Sequence, residues 1–88
     1  MVTIGDIIAA NHVGVEKPII GRIASEDDVY FYVELEVPIS GFWGKFEVGD
    51  IVRIFPSNLF RVYRNGVEYY TTGRAIGNPV TRDIDRYF

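Results

Sequence analysis

The sequence predicts an all-β fold, a single small antiparallel barrel within residues 1–88. Residues 29–37, VYFYVELEV, alternate two kinds of side chain with the period of two that is typical of a half-buried strand. Asn65-Gly66 lies between two β-rich runs and is the strongest short-range signal for a hairpin. Glycine and proline recur about every ten residues, which is the spacing expected of short strands joined by turns.

The composition supports one packed domain and excludes several kinds of protein. At 88 residues and 48% hydrophobic, the chain can bury a modest core. It has no cysteine, which excludes disulfides, thiolate zinc sites and a cysteine nucleophile, and favours a cytoplasmic, intracellular location. No apolar run approaches the ~20 residues of a membrane helix, and the first residues lack a secretory pattern. We therefore expect no membrane association.

The opening segment, residues 3–10, fits both a helix and a strand. Thr3 and Asp6 have the spacing of a capping box, and an isoleucine stripe follows. Gly5 would weaken a helix in its first turn, so we expect a strand. The pattern aliphatic-Gly-Asp-aliphatic-aliphatic recurs at residues 48–52. We interpret both copies as turns that start strands, with glycine freeing the backbone and aspartate capping it.

A central hairpin is expected from residues 18–24 and 29–37, joined by the polar turn at 25–28. Gly21 suggests a bulge or sharp bend in the first strand. In the second strand, one face is apolar and the other carries tyrosine and glutamate. The residues expected in the core are Val29, Phe31, Val33, Leu35 and Val37, and those expected outside are Tyr30, Tyr32, Glu34 and Glu36.

The second half of the chain is expected to hold a strand at 50–55, a hairpin arm at 60–72 and a short C-terminal helix or tail at 78–88. The sequence Pro-Ser-Asn after the strand fits a short 3₁₀ turn. A type I′ turn at Asn65-Gly66 fixes the hairpin register. Asn78 would cap the helix and Pro79 would be its first residue. The register places Arg61, Tyr63, Glu68 and Tyr70 on one face.

The ordered elements resemble the SH3-like small barrels, including Tudor-like and KOW-like domains, over residues 3–62. The features that carry the resemblance are the strands entered through IGD and VGD, the hairpin between them, and the turn PSNL leading into FRV. The resemblance implies a binding module that uses aromatic residues of its loops and sheet. Residues 63–88 lie outside it, and an OB-fold barrel is the structural alternative.

Residues suited to catalysis are scarce, so we predict no enzyme, no cofactor and no metal. His12 is the single histidine, and no serine lies in a Gly-x-Ser-x-Gly turn. The acidic turn at 25–28 lacks the ligand spacing of an EF-hand loop.

Aromatic residues are the candidate binding residues instead. Phe42 and Trp43 lie between two glycines, where they would either anchor a partner or plug the end of the barrel. Tyrosines on two outer faces add further contacts. We therefore expect a non-enzymatic protein-interaction or assembly module that binds a protein partner or itself; a small viral or accessory protein would have such features. The tyrosines are Tyr30, Tyr32, Tyr63 and Tyr70.

Arginines among these aromatics suggest an alternative, a small barrel that binds single-stranded nucleic acid. The net charge of −3 argues against it. Residues 1–50 hold nine acids and three bases, whereas residues 51–88 hold three acids and six arginines. We expect the two parts to interleave and neutralise one another. The candidate nucleic-acid-binding residues are Arg53, Arg61, Arg64 and Arg74.

Overall fold

A computed structural model describes residues 1–42 and 44–80, which fold into antiparallel β-sheets with one short 3₁₀ turn. In this part of the chain no helix is long and apolar enough to cross a membrane. The strands are β1 (Ile7–Ala10), β2 (Ile19–Glu26), β3 (Phe31–Leu35), β4 (Ile39–Gly41), β5 (Gly44–Phe46), β6 (Ile51–Ile54), β7 (Leu59–Arg64), β8 (Val67–Thr72) and β9 (Ala75–Pro79), and the 3₁₀ turn is Pro56–Asn58.

Seven strands form one sheet in the order β6-β3-β2-β1-β7-β8-β9, and each neighbouring pair is antiparallel. Strands β4 and β5 form a separate two-stranded hairpin. The all-β antiparallel prediction is confirmed. Strands β6 and β9 lie at the two edges, and no pairing within residues 1–42 and 44–80 joins them into a closed barrel.

The opening segment forms a strand, as expected, after a turn at Gly5-Asp6. Gly5 has φ of 94°, a left-handed conformation that favours glycine. Its N–H donates to the carbonyl of Ile23 at 2.8 Å, and the N–H of Ile23 donates to the carbonyl of Asp6 at 2.9 Å. The Asp6 carboxylate accepts the N–H of Thr3 at 2.9 Å.

The second Gly-Asp pair repeats this turn. Gly49 has φ of 93°, its N–H donates to the carbonyl of Leu35, and the N–H of Leu35 donates to the carbonyl of Asp50, each at 2.9 Å. The Asp50 carboxylate accepts the N–H of Glu47 at 2.8 Å. Both copies are therefore turns that lead into strands, β1 and β6, as predicted.

The central hairpin forms, but its turn lies further along than predicted. Strand β2 continues to Glu26, and β3 covers only residues 31–35. Val29 and Val37 consequently lie outside the strand and are 52% and 40% exposed, so their assignment to the core is wrong. The middle of the predicted face, Phe31, Val33 and Leu35, is buried.

Gly21 is required by close packing of β2 on β3. A Cβ atom at this position would lie 2.5 Å from the carbonyl oxygen of Glu34, which is backbone and cannot give way. The irregular register of this strand pair lies between Ile23 and Ser25, beyond the glycine. The bulge predicted for this strand is present, but the glycine serves the close approach of the two strands.

The 3₁₀ turn and the Asn65-Gly66 hairpin are confirmed. Asn65 and Gly66 have φ of 52° and 76°, as a type I′ turn requires. Arg61 lies opposite Tyr70 and Tyr63 opposite Glu68, the predicted register. Strand β7 also pairs with β1 on its other side, so it is a central strand of the sheet.

Two further elements differ from expectation. The stretch around Phe42, predicted as a loop, is the tip of the β4–β5 hairpin. Asn78 and Pro79 belong to strand β9 and do not start a helix. Pro79 lies opposite Tyr69 on an edge strand, where a missing N–H is tolerated. Trp43 and residues 81–88, which include the rest of the predicted C-terminal helix or tail, lie outside the described residues.

The core lies on one face of the seven-stranded sheet. On β1, β2 and β3 its side chains come from alternate positions, as the period of two requires, and β6 and β7 add Ile54, Leu59 and Val62. Ile39 of β4 and Val2 at the chain start add to it. The largest fully buried side chains are Phe31, Ile8, Ile19, Ile23, Leu35, Ile54, Val2, Val33 and Val62.

Candidate interaction site

Four side chains meet where β3 begins and β6 ends, and we call them the Tyr30 cluster: Tyr30, Tyr32, Arg53 and Phe55. The ring centroids of Tyr30 and Phe55 are 4.9 Å apart, and those of Tyr30 and Tyr32 are 6.2 Å apart. The guanidinium carbon of Arg53 lies 4.9 Å from the centroid of the Tyr30 ring, a cation–π contact. Three of the four were candidates from the sequence. Phe55, the last residue of the strand predicted at 50–55, was not among the candidates, because its contact with Tyr30 depends on the pairing of β6 with β3.

Asp27 holds this cluster in place. Its carboxylate accepts the N–H groups of Val29 and Tyr30, at 2.8 and 2.7 Å, and the hydroxyl of Tyr32 at 2.6 Å. The hydrogen bond from Tyr32 and then those from the two N–H groups lower the pKa of Asp27, and the same bond raises the pKa of Tyr32. Asp27, a residue of the turn predicted at 25–28, thus orders the two tyrosines.

The surface around the cluster is apolar and solvent-exposed. Phe55 is 49% exposed, and Ile51 and Val29 nearby in the fold are 51% and 52% exposed. Within residues 1–42 and 44–80, no carboxylate lies within 4 Å of Arg53. Its guanidinium is oriented by the contact with the Tyr30 ring.

A second aromatic–arginine group lies on the β7–β8 hairpin. Arg61 donates from Nε to Glu68 at 3.1 Å, and its guanidinium carbon lies 4.3 Å from the Tyr70 ring centroid. The hydroxyl of Tyr63 donates to the same glutamate at 3.2 Å. The structure brings these predicted residues together as cross-strand contacts that stabilise the hairpin.

Arg64 and Arg74 fasten the start of the chain to its second half. Arg64 donates from Nε to Asp6 at 3.0 Å and from Nη2 to the carbonyl of Met1 at 2.9 Å. Arg74 pairs with Glu26 at 3.1 Å, its guanidinium over the Phe31 ring. Both pairs join residues 1–50 to residues 51–80, so the expected interleaving of charges is confirmed.

Asp6 is the buried carboxylate of this arrangement. Burial alone would raise its pKa, but the hydrogen bonds from Arg64 and from the N–H of Thr3 outweigh that effect and lower it. The hydrogen bond with Asp6 raises the pKa of Arg64 in turn. The ion pair stays charged at neutral pH and is a structural contact.

The β4–β5 hairpin carries the remaining candidate. Phe42 is 83% exposed at its tip. A cavity of about 680 Å³ lies at the base of the hairpin, against the loop that joins β1 to β2, with Val15, Ile20 and Phe46 among its lining residues. The sequence did not indicate this cavity, because the residues that form the β4–β5 hairpin were predicted to be a loop. Its walls come together only when the loop and the hairpin pack.

His12, the single histidine of the sequence, lies between β1 and β2. Its Nδ1 lies 2.9 Å from the carbonyl oxygen of Val13, on an exposed segment. Across the part of the chain that the structure describes, no three His, Asp or Glu side chains converge as metal ligands.

Comparison of the chain with protein-family models, with curated proteins and with solved structures finds no match.

Proposed function

We propose that this chain is a non-enzymatic protein-interaction or assembly module that contacts its partner through the Tyr30 cluster. The observation that carries the proposal is the convergence of two tyrosines, a phenylalanine and an arginine on one exposed surface. Tyrosine and arginine are enriched among the residues that dominate the affinity of protein interfaces.

The rigidity of the cluster supports the same proposal. Tyr32 and Arg53 lie opposite each other on paired strands, and three hydrogen bonds to Asp27 order the adjoining turn. Side chains that are already ordered lose little conformational entropy when a partner binds. The flanking exposed residues, Val29 and Ile51, would extend the apolar contact.

We also propose that the fold is related to the SH3-like small barrels. The strand order β6-β3-β2-β1-β7 and the 3₁₀ turn between β6 and β7 support the resemblance. Strands β8 and β9 extend the sheet beyond it. Such barrels mostly serve as binding modules, although a fold alone does not determine function.

The alternative of nucleic-acid binding is less well supported. Three of its four arginines, Arg61, Arg64 and Arg74, are paired with carboxylates within the chain. Neutralised arginines release few counterions from a phosphate backbone, and the net charge is −3. A titration with single-stranded DNA at low salt tests it, and binding that Arg53→Gln weakens would favour it.

Cross-linking in an extract of the source cells, followed by mass spectrometry, tests the proposed function. The bait is the full chain, and a linked second copy counts as a partner. We expect Tyr30→Ala and Phe55→Ala each to reduce a specific linked partner about tenfold or more. Val67→Ala, which truncates an exposed apolar side chain on the β7–β8 hairpin, is the control and should not reduce it. Absence of any specific partner, or a partner equally well captured by all variants, would overturn the proposal.

A further inference from the structure

Strand β6 is an edge of the sheet: among residues 1–42 and 44–80, no strand pairs with its outer side. The N–H of Leu35 donates to the carbonyl of Asp50, which fixes the alternation along the β3–β6 pair. Val52 and Ile54 therefore direct their backbone groups toward β3, and Ile51 and Arg53 direct theirs to the open side. An edge with outward N–H and C=O groups is a template on which another strand can pair.

The two edge strands of the sheet, β6 and β9, differ in how well their residues suit pairing with another strand. The other edge, β9, contains Gly77, Asn78 and Pro79, residues that are unfavourable in paired strands. Strand β6 reads Ile-Val-Arg-Ile, with neither glycine nor proline. Ile51 at its start and Phe55 just after it are both about half exposed, as noted above. The edge at β6 is thus the one suited to a partner.

The charges beside β6 are self-complementary. Glu34 lies on β3 opposite Ile51, and Arg53 lies two residues further along β6. In the described ranges, 1–42 and 44–80, neither Glu34 nor Arg53 has an ion-pair partner within 4 Å. When a surface with one positive and one negative group faces its own copy across a two-fold axis, the positive group of each copy can lie near the negative group of the other.

We propose that the partner of this module is a second copy of the chain, paired antiparallel along β6. Ile51 lies opposite the partner's Arg53, and the two-fold axis repeats this pair, giving about four backbone hydrogen bonds. This register also keeps the two arginines from lying directly opposite each other, which would be unfavourable.

The same register brings Arg53 near the partner's Glu34. The two residues are two strands apart, about 10 Å between their Cα atoms, and the two side chains together span that distance. Arg53 exchanges its contact with Tyr30 for this ion pair, and the Tyr30 and Phe55 rings border the joined edges. The inference rests on the proposed function and names the partner of its site.

Variants in which the charges of Arg53 and Glu34 are reversed test the proposal. The measurement is sedimentation of the full chain at low salt, from micromolar to millimolar concentration. We expect wild type to dimerise as concentration rises, and Arg53→Glu or Glu34→Arg each to weaken dimerisation at least about tenfold. The double variant should restore it, because the pair is re-formed with its charges exchanged. Lys17→Glu, an exposed residue of the segment between β1 and β2, makes the same change of charge away from the β3–β6 edge, and as the matched control it should dimerise like wild type.

Amide hydrogen exchange provides a second measurement that is specific to the edge. The N–H groups of Ile51 and Arg53 should exchange more slowly as the concentration of wild type rises, while that of Val52, already bonded to β3, should not change. A chain that stays monomeric throughout, or a dimer indifferent to both single exchanges, overturns the inference. If the chain is monomeric but still captures another protein through Tyr30 and Phe55, the proposed function stands and only the dimer is excluded. If the monomer captures no protein, the proposed function and the dimer both fail.

Discussion

The two Gly-Asp turns of this chain have the same backbone and different surroundings. In each, the glycine adopts nearly the same φ, 94° and 93°, and the aspartate accepts an N–H from three residues before it. Asp6 is 8% exposed and bonded to Arg64. Asp50 is exposed and, in the described part of the chain, has no ion pair.

The difference shows that the local sequence determines the geometry of the turn. Neighbours that are distant in sequence determine how much the turn contributes to the stability of the fold. Both aspartates cap their turns because the glycine lets the backbone reverse. Only at the first turn does an arginine 58 residues away complete the site.

Replacement of the two aspartates should give the largest contrast. Asp6→Ala removes both hydrogen bonds from Arg64 and the one from the Thr3 N–H, and it leaves the guanidinium without its carboxylate, so we expect a loss of about 2–3 kcal/mol in the free energy of unfolding. Asp50→Ala removes one hydrogen bond to the Glu47 N–H and should cost about 0.5–1 kcal/mol. Urea denaturation measures both. Equal losses would show that the pair with Arg64 adds nothing to the first turn.

The contribution of Asp6 should depend on pH. Its pKa is lower in the folded chain than in the unfolded one, so the carboxylate stabilises the fold above the unfolded pKa and ceases to do so as pH falls through the folded value. We expect the stability difference between wild type and Asp6→Asn to be greatest at neutral pH and to shrink below about pH 4. A difference that stays constant from neutral to strongly acidic pH would contradict this account.

Replacement of the two glycines should give the smallest contrast between the turns, because the two losses should be equal. Gly5→Ala and Gly49→Ala meet no atom within 4 Å, so the strain comes from positive φ alone. We expect each to cost about 1–2 kcal/mol in unfolding free energy, because the backbone is the same. Thermal and urea unfolding of the two variants provide the comparison. A much larger cost at Gly5 would mean that the buried aspartate makes its turn less tolerant.

Elements set by local chemistry were predictable from the sequence. Asn65-Gly66 determined the β7–β8 register, and Pro56 at the first position determined the 3₁₀ turn. The β4–β5 hairpin was missed because its strands are three residues each, too short for an alternation to show. Pro79 was misassigned because its signal, proline after asparagine, fits a helix start and an edge strand equally well.

The candidate site was partly predictable for a related reason. Tyr30 and Tyr32 stood out because alternation placed them on the outer face. Phe55 could not be linked to them, since the contact depends on β6 pairing with β3 across an intervening hairpin. The individual partners of Arg64 and Arg74 were equally hidden, because only the folded sheet brings residues 48 and 58 positions apart into contact.

The central position of β1 has a consequence for synthesis of the chain. Strand β1 is made before both of its neighbours in the sheet, β2 and β7, so the side that pairs with β7 stays unsatisfied until residue 64 has left the ribosome. Contacts of such long sequence separation make folding slow, because the loop must close before they can form. A nascent chain ending at the 3₁₀ turn would expose β1 as an edge, so a chaperone that covers this strand would protect the chain during translation.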